Sequence, residues 1–174
     1  MSSPDLRRGT TELEFTTTAI LAGGLGSRLR PALAGHPKAL ASVGTRPFLV
    51  YLFDQLVAAG ARDVVLCTGY LGDPIRVMFG ESYGPLRLSY SQESTPLGTA
   101  GALRLALPLF ESNPVLVMNG DSYCEANLRE FCLWHDTRHS NATLLLTKVS
   151  DRERFGQVQV GPDGKVIAFQ EKGS

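Results

Sequence analysis

The chain has 174 residues, enough to bury a core without disulfides or a structural metal, and its length fits one domain. Its 43% hydrophobic and 20% charged content is ordinary for a globular protein. The 17 Lys plus Arg are balanced by 17 Asp plus Glu, which excludes the basic excess of a protein that binds nucleic acid or a membrane surface.

Residues 1–14 are polar and aperiodic and read as a flexible leader; residues 15–174 read as the folded domain. Residues 16–21 are β-branched and apolar, predicting a strand that runs into a glycine-rich loop. Residues 47–60 predict an amphipathic helix, with Pro47 near its start and Gly60 at its end. A buried strand follows over 63–68, a short helix over 73–79, a strand over 86–91 and a helix over 99–109 with Thr99 as its N-cap. A short strand at 115–118 leads into Asn119-Gly120-Asp121, then a helix at 128–138 and a strand at 142–149. Segments 157–160 and 166–169 predict a hairpin around Pro162-Asp163-Gly164.

Strands alternating with helices imply right-handed crossovers and a mainly parallel sheet. Ligands of such sheets bind beyond the carboxyl ends of the strands. Polar loops after Leu21, after Ser91 and at Asp121 are therefore expected to converge.

The loop spanning 22–38 reads AGGLGSRLRPALAGHPK. Gly23, Gly24 and Gly26 follow a strand directly, where glycine lets backbone N–H groups approach an anion. Arg28 adds a forked guanidinium suited to phosphate oxygens, and Lys38 a compact second cation. A P-loop would need Gly-Lys-Ser/Thr, which is absent. A dinucleotide fingerprint starting at Gly24 and Gly26 would put its third glycine where Leu29 stands. Taken alone, the segment could be a tight turn with surface cations.

Here the sequence resembles the sugar-phosphate nucleotidyltransferases, the NDP-sugar pyrophosphorylases. The resemblance rests on GGLGSRLRP…PK, PLGTAGAL, NGD, FGQV and the pair Glu171-Lys172, and runs from about residue 18 to 172. It implies a Rossmann-like three-layer αβα fold with a mainly parallel central sheet. It implies that Arg28 holds the triphosphate and the leaving pyrophosphate, that Lys38 contacts phosphate, and that the backbone of Leu21, Ala22 and Gly23 lies against the base. Gly24, Gly26 and Ser27 complete that nucleotide loop.

In the family the segment matching 92–103 reads the base, which assigns Glu93, Gly98 and Thr99 to nucleotide binding. A carboxylate can accept from both the ring N–H and the amino group of guanine, which favours GTP. The alternative for Glu93 is a solvated loop charge. Asp121 ends a strand expected to be buried, where a charge needs a partner, and the NGD match implies that it holds catalytic Mg²⁺. Gly156, Glu171 and Lys172 match positions near the sugar, on its hydroxyls and on its phosphate.

The wording LGTAGALRLALP, NGDSY and FGQV is most similar to the D-glycero-D-manno-heptose 1-phosphate guanylyltransferases within the family. Mannose 1-phosphate guanylyltransferases and uridylyl- or thymidylyltransferases are the alternatives. The implied reaction joins a nucleoside monophosphate to a sugar 1-phosphate with release of pyrophosphate, for cell-surface glycan synthesis. A non-catalytic nucleotide-binding regulatory subunit is the alternative of another class, as is an oxidoreductase. Homo-oligomerisation is a family tendency.

Cys67, Cys124 and Cys132 form no CxxC and read as free thiols in a reducing cytoplasm, with Cys67 packed as a small hydrophobe. No apolar run approaches a membrane span and no signal-type segment leads the chain. His135 and His139 could share a helix face, and Trp134 is expected to pack. Family members continue beyond the position matching Ser174 with strands that complete the sugar pocket and a second metal-binding Asp. The chain is therefore expected to be C-terminally truncated, and this 174-residue form to bind nucleotide weakly and turn over slowly.

Overall fold

The computed structural model describes residues 12–24, 37–69, 72–149 and 156–170. They fall into two compact units, dividing after Ala142. In the first, a five-stranded sheet is built from β1 (Thr18–Ala22), β4 (Asp63–Thr68), β5 (Ser82–Tyr83), β6 (Leu86–Gln92) and β7 (Leu116–Asn119), in the order β5-β6-β4-β1-β7. The four strands from β6 to β7 run parallel and only β5 is antiparallel. The short β2 (Ser42–Val43) and β3 (Arg46–Pro47) form a separate hairpin.

The parallel register sorts side chains between two faces. Leu116, Thr18, Val64 and Leu88 form one buried row, and Met118, Ile20, Leu66 and Tyr90 the next row on the same face. Helix α1 (Phe48–Ala59) packs here through Leu49, Leu52, Phe53 and Leu56, all 0% exposed and spaced i, i+3, i+4, i+7. Pro47 precedes its first turn, and Gly60 ends it at φ 85°, its N–H donating to Leu56 and Val57 carbonyls. Helix α2 (Asp73–Phe79) adds Ile75 to the same core, and α4 (Leu128–Thr137) adds Leu128 and Cys132. The opposite face is thinner. There Ala19, Val65 and Cys67 meet α3 (Gly98–Ala106), whose one fully buried residue is Ala106. Helices on both faces give the three layers expected, and no described helix is long and apolar enough to cross a membrane.

The second unit holds β8 (Gln157–Val160) and β9 (Val166–Gln170), the expected hairpin. The strand expected at 142–149 is absent: those residues have no regular structure, and Leu144, Leu145 and Leu146 are each about half exposed. Strand propensity needs a ladder partner to act on, and no described strand pairs with this run.

Other expectations shift locally. Leu13, inside the expected leader, is 3% exposed and belongs to the main core. Thr99 is not a cap; α3 begins at Gly98, whose φ of 72° lets the chain turn into the helix one residue earlier. Pro108 cannot continue the α-ladder, so 107–109 is a 3-10 turn. Trp134 does not pack inward; it is 52% exposed with the Arg138 guanidinium 4.4 Å from its ring centroid. His139 lies beyond α4 at φ 48° and so shares no helix face with His135. Cys67 is buried as expected, which pushes its thiol up to about 11, and all three cysteines are free.

The Phe53 ring centroid lies 5.1 Å from those of both Phe79, met edge-to-face, and Tyr83, met at a tilt, tying α1 to α2 and β5. Phe53→Ala is expected to remove about 3–5 kcal/mol of stability. Urea unfolding followed by circular dichroism should show a lower midpoint at unchanged slope; an unmoved midpoint would mean that this face is not the main core.

Candidate functional site

The loops expected to converge do so at the carboxyl edge of the sheet. Ala22, Thr68 and Gln92 share one register row, so the next residues, Gly23, Gly69 and Glu93, emerge side by side. Pairing continues one step past the strands. The Glu93 N–H donates to the Thr68 carbonyl at 2.9 Å, and the Gly120 N–H to the Leu21 carbonyl at 2.8 Å.

Glycine is required where these backbones meet. A Cβ on Gly69 would lie 2.7 Å from the Gly23 carbonyl oxygen, and one on Gly120 would lie 2.8 Å from the Leu21 carbonyl oxygen. A Cβ on Gly23 would lie 2.8 Å from Glu93 Oε1 and 3.1 Å from the Gly69 nitrogen. Gly24, by contrast, is exposed, and among the described residues no atom beyond its chain neighbours lies within 4 Å of where its Cβ would stand. Gly69 is a residue that sequence reasoning missed. Its signal was a glycine directly after a buried strand, the same signal that singled out Gly23.

Glu93 is 8% exposed, which removes the reading as a solvated loop charge. Its Oε2 accepts from the Leu97 N–H at 3.2 Å while Oε1 lies against Gly23. The carboxylate therefore caps the approach to α3, a task expected of Thr99, and stands beside the glycine loop. Gly98 and Thr99 follow it, both exposed. Leu21 and Ala22 are half-buried at the end of β1.

Asp121 lies two residues past β7, with its side chain 45% exposed rather than buried as expected. Its partner is Lys38, whose Nζ lies 2.7 Å from Oδ2; the Ser122 hydroxyl donates to Oδ1 at 3.1 Å. The Lys38 hydrogen bond holds the carboxyl below its ordinary range, against a smaller opposing effect of burial. Because the folded value is the lower one, this contribution to stability is present above the unfolded value of 3.8 and is lost as pH falls through the folded value. Lys38 stands at the start of a 3-10 turn, Lys38–Leu40, whose Ala39 and Leu40 are buried. Both residues were singled out in the sequence, but for different ligands and not as a pair.

Among the described residues no group of three or more His, Cys, Asp or Glu could cage a metal. One ionised, accessible carboxylate fits Mg²⁺ nonetheless, since that ion takes one or two carboxylates and fills its shell with phosphate oxygens and water. Gly26, Ser27, Arg28, Glu171 and Lys172 lie outside the described residues. Gly156 belongs to the second unit, where a Cβ would come within 3.3 Å of the Gln170 carbonyl oxygen. What the described residues assemble is a glycine-walled edge with a buried carboxylate on one side and a cation–carboxylate pair on the other, suited to a polar, anionic ligand.

The model of the nucleotidyl transferase family matches residues 17–174. The chain is 39% identical, over 154 residues, to the D-glycero-alpha-D-manno-heptose 1-phosphate guanylyltransferase of Aneurinibacillus thermoaerophilus, covering 88% of this chain and 66% of that one. It is 34% identical to the mannose-1-phosphate guanyltransferase of Aspergillus fumigatus, with 88% and 44% covered. Among solved structures, HddC from Yersinia pseudotuberculosis complexed with GMP-PN matches with a TM-score of 0.72 at 29% identity, covering 91% of this chain and 70% of that one. The chain thus spans about two thirds of the heptose-phosphate relative and under half of the mannose-phosphate one.

The glycine contacts generate a test. Gly69→Ala is expected to cost about 1–3 kcal/mol, because its Cβ meets backbone that cannot yield cheaply, whereas Gly24→Ala should stay within about 0.5 kcal/mol of wild type. Paired urea melts decide this; equal midpoints would refute the close approach.

Proposed function

The chain belongs to the nucleotidyl transferase family, and from that premise we propose that it transfers GMP from GTP to a sugar 1-phosphate, releasing pyrophosphate. The sugar is a manno-configured heptose. The observation that carries this reading is the meeting of Gly23, Gly69 and Glu93 at one sheet edge that also bears the Lys38–Asp121 pair. Similarity to a heptose 1-phosphate guanylyltransferase and to a structure complexed with GMP-PN supports the choice of base and sugar. Mannose 1-phosphate is the second substrate to try, on the likeness to the fungal enzyme.

In this reading a phosphate oxygen of the sugar 1-phosphate attacks the α-phosphorus of GTP in line, and pyrophosphate leaves from the opposite side. The nucleophile is already an anion, so no general base is required. The work left to the protein is positioning and neutralisation of charge. The backbone of Leu21, Ala22 and Gly23 lies against the base, with Gly24 beside it in the same loop. Glu93 accepts from the guanine ring N–H and amino group. Arg28 and Lys38 neutralise the triphosphate and the departing pyrophosphate, and the match to the family assigns Lys172 to the sugar phosphate and Gly156 and Glu171 to the sugar. Asp121 would hold Mg²⁺, which when bound offsets phosphate charge. Free cysteines, two of them buried, support a reducing compartment such as the cytoplasm.

Pyrophosphate release by the full-length protein, tested with GTP, UTP, dTTP and ATP against a panel of sugar 1-phosphates, should be fastest with GTP and the heptose phosphate. No release from GTP with any sugar phosphate would sink the reading. Arg28→Ala and Asp121→Asn should each lower kcat by about a hundredfold or more. Glu93→Gln should weaken the preference for GTP over UTP, since an amide presents one accepting oxygen and a donating NH2 where the carboxylate presents two accepting oxygens.

A further inference from the structure

The proposed reaction gives Lys38 and Asp121 different partners, a phosphate and a divalent cation, yet in the structure they hold each other. We propose that Lys38 is a placeholder for the divalent cation: its ammonium occupies Asp121 until a triphosphate draws it away, so metal and nucleotide are taken up together rather than metal first. This rests on the roles given to both residues above.

The geometry carries the inference. Both oxygens of Asp121 are engaged, Oδ2 by Lys38 at 2.7 Å and Oδ1 by the Ser122 hydroxyl at 3.1 Å. A cation arriving alone must displace a charge-assisted hydrogen bond and sit beside the ammonium it displaces. Among the described residues no metal cage of three or more His, Cys, Asp or Glu compensates for this. The lysine is also built to move. Its backbone is anchored by the neighbouring Ala39 and Leu40, 3% and 8% exposed, while its own side chain is 38% exposed. An unbranched four-carbon stem can then carry the ammonium from one anion to another without disturbing the fold. A triphosphate offers Lys38 a more highly charged partner and simultaneously brings oxygens for the metal. Each ligand thereby favours the other, and the coupling is reciprocal.

Mn²⁺ serves as a spectroscopic stand-in for Mg²⁺. It is titrated into the full-length protein without nucleotide, and free Mn²⁺ is counted by electron paramagnetic resonance. The series comprises wild type, Lys38→Met, Lys38→Arg, Asp121→Asn and the double variant Lys38→Met/Asp121→Asn. Lys38→Met keeps the apolar stem and loses the charge, so it should bind Mn²⁺ about two- to fivefold tighter than wild type, the size expected when a half-exposed ion pair is removed. Lys38→Arg should remain as weak as wild type, and the tightening should vanish in the double variant. The gain in Mn²⁺ affinity caused by a non-hydrolysable GTP analogue should shrink in Lys38→Met.

Equal or weaker Mn²⁺ binding by Lys38→Met, tightening that survives Asp121→Asn, or unchanged coupling to the GTP analogue would each overturn the placeholder role. Pyrophosphate release from GTP decides the reaction independently. A protein that shows the tightening but releases no pyrophosphate keeps the cation exchange and loses the nucleotidyl transfer.

Discussion

The parallel pairing of β1 with β4 on one side and β7 on the other is the constraint on which the site depends. Parallel strands end at the same edge, so three loops from distant parts of the sequence emerge within hydrogen-bonding reach of one another. The ladder does not stop where the strands stop. Glu93 and Gly120 each make one further backbone bond to their neighbour, at 2.9 and 2.8 Å. Backbone geometry, rather than side-chain packing, therefore sets the spacing of the glycine wall. The helices packed on the sheet brace it, with Phe53 and its ring partners tying α1 to α2 and β5.

Upon that frame, charge is arranged in two kinds of place. Glu93 is buried and bonded to backbone, so its carboxylate has a fixed direction. Lys38 and Asp121 are half-exposed and bonded to each other, so their charges balance locally and can be redistributed by a ligand. A fixed carboxylate suits recognition of a planar, hydrogen-bonding group. An exchangeable pair suits the neutralisation of phosphate, whose charge must be met on arrival and released with the product. The division follows from depth alone, since the same ionic groups are rigid when desolvated and mobile when wet.

Much of this was legible in the sequence. The apolar spacing of 49, 52, 53 and 56 between Pro47 and Gly60 specifies α1 because every signal there is local. The loops bearing Gly23, Glu93 and Asp121 were located because strand ends can be found without knowing strand order, and the family resemblance then singled out Glu93 and Asp121 within them. What escaped depends on partners far away in the chain. Lys38 and Asp121 are 83 residues apart, and nothing local says that they touch. Gly69 carries the same signal as Gly23, but only the register shows which backbone it approaches. The run at 142–149 has strand composition without a strand's partner among the described residues, and Thr99 lies inside α3 rather than at its cap because the helix begins at the left-handed Gly98. In these places tertiary context overrode or escaped the local signal.

The two faces of the sheet are unequally furnished, and that inequality bears on recognition. α1 is locked to its face by four fully buried large side chains, whereas α3 rests on Ala19, Val65 and Cys67 through Ala106 as its only fully buried residue. The loop bearing Glu93 and Gly98 leads directly into that lightly held helix. Few buried apolar contacts mean a low local opening free energy, so substitutions in this loop can tilt or slide α3 while the opposite face keeps the chain folded. Among the described residues, recognition at Glu93 is thus coupled to the lightly held layer, while the thicker layer carries the stability of the fold.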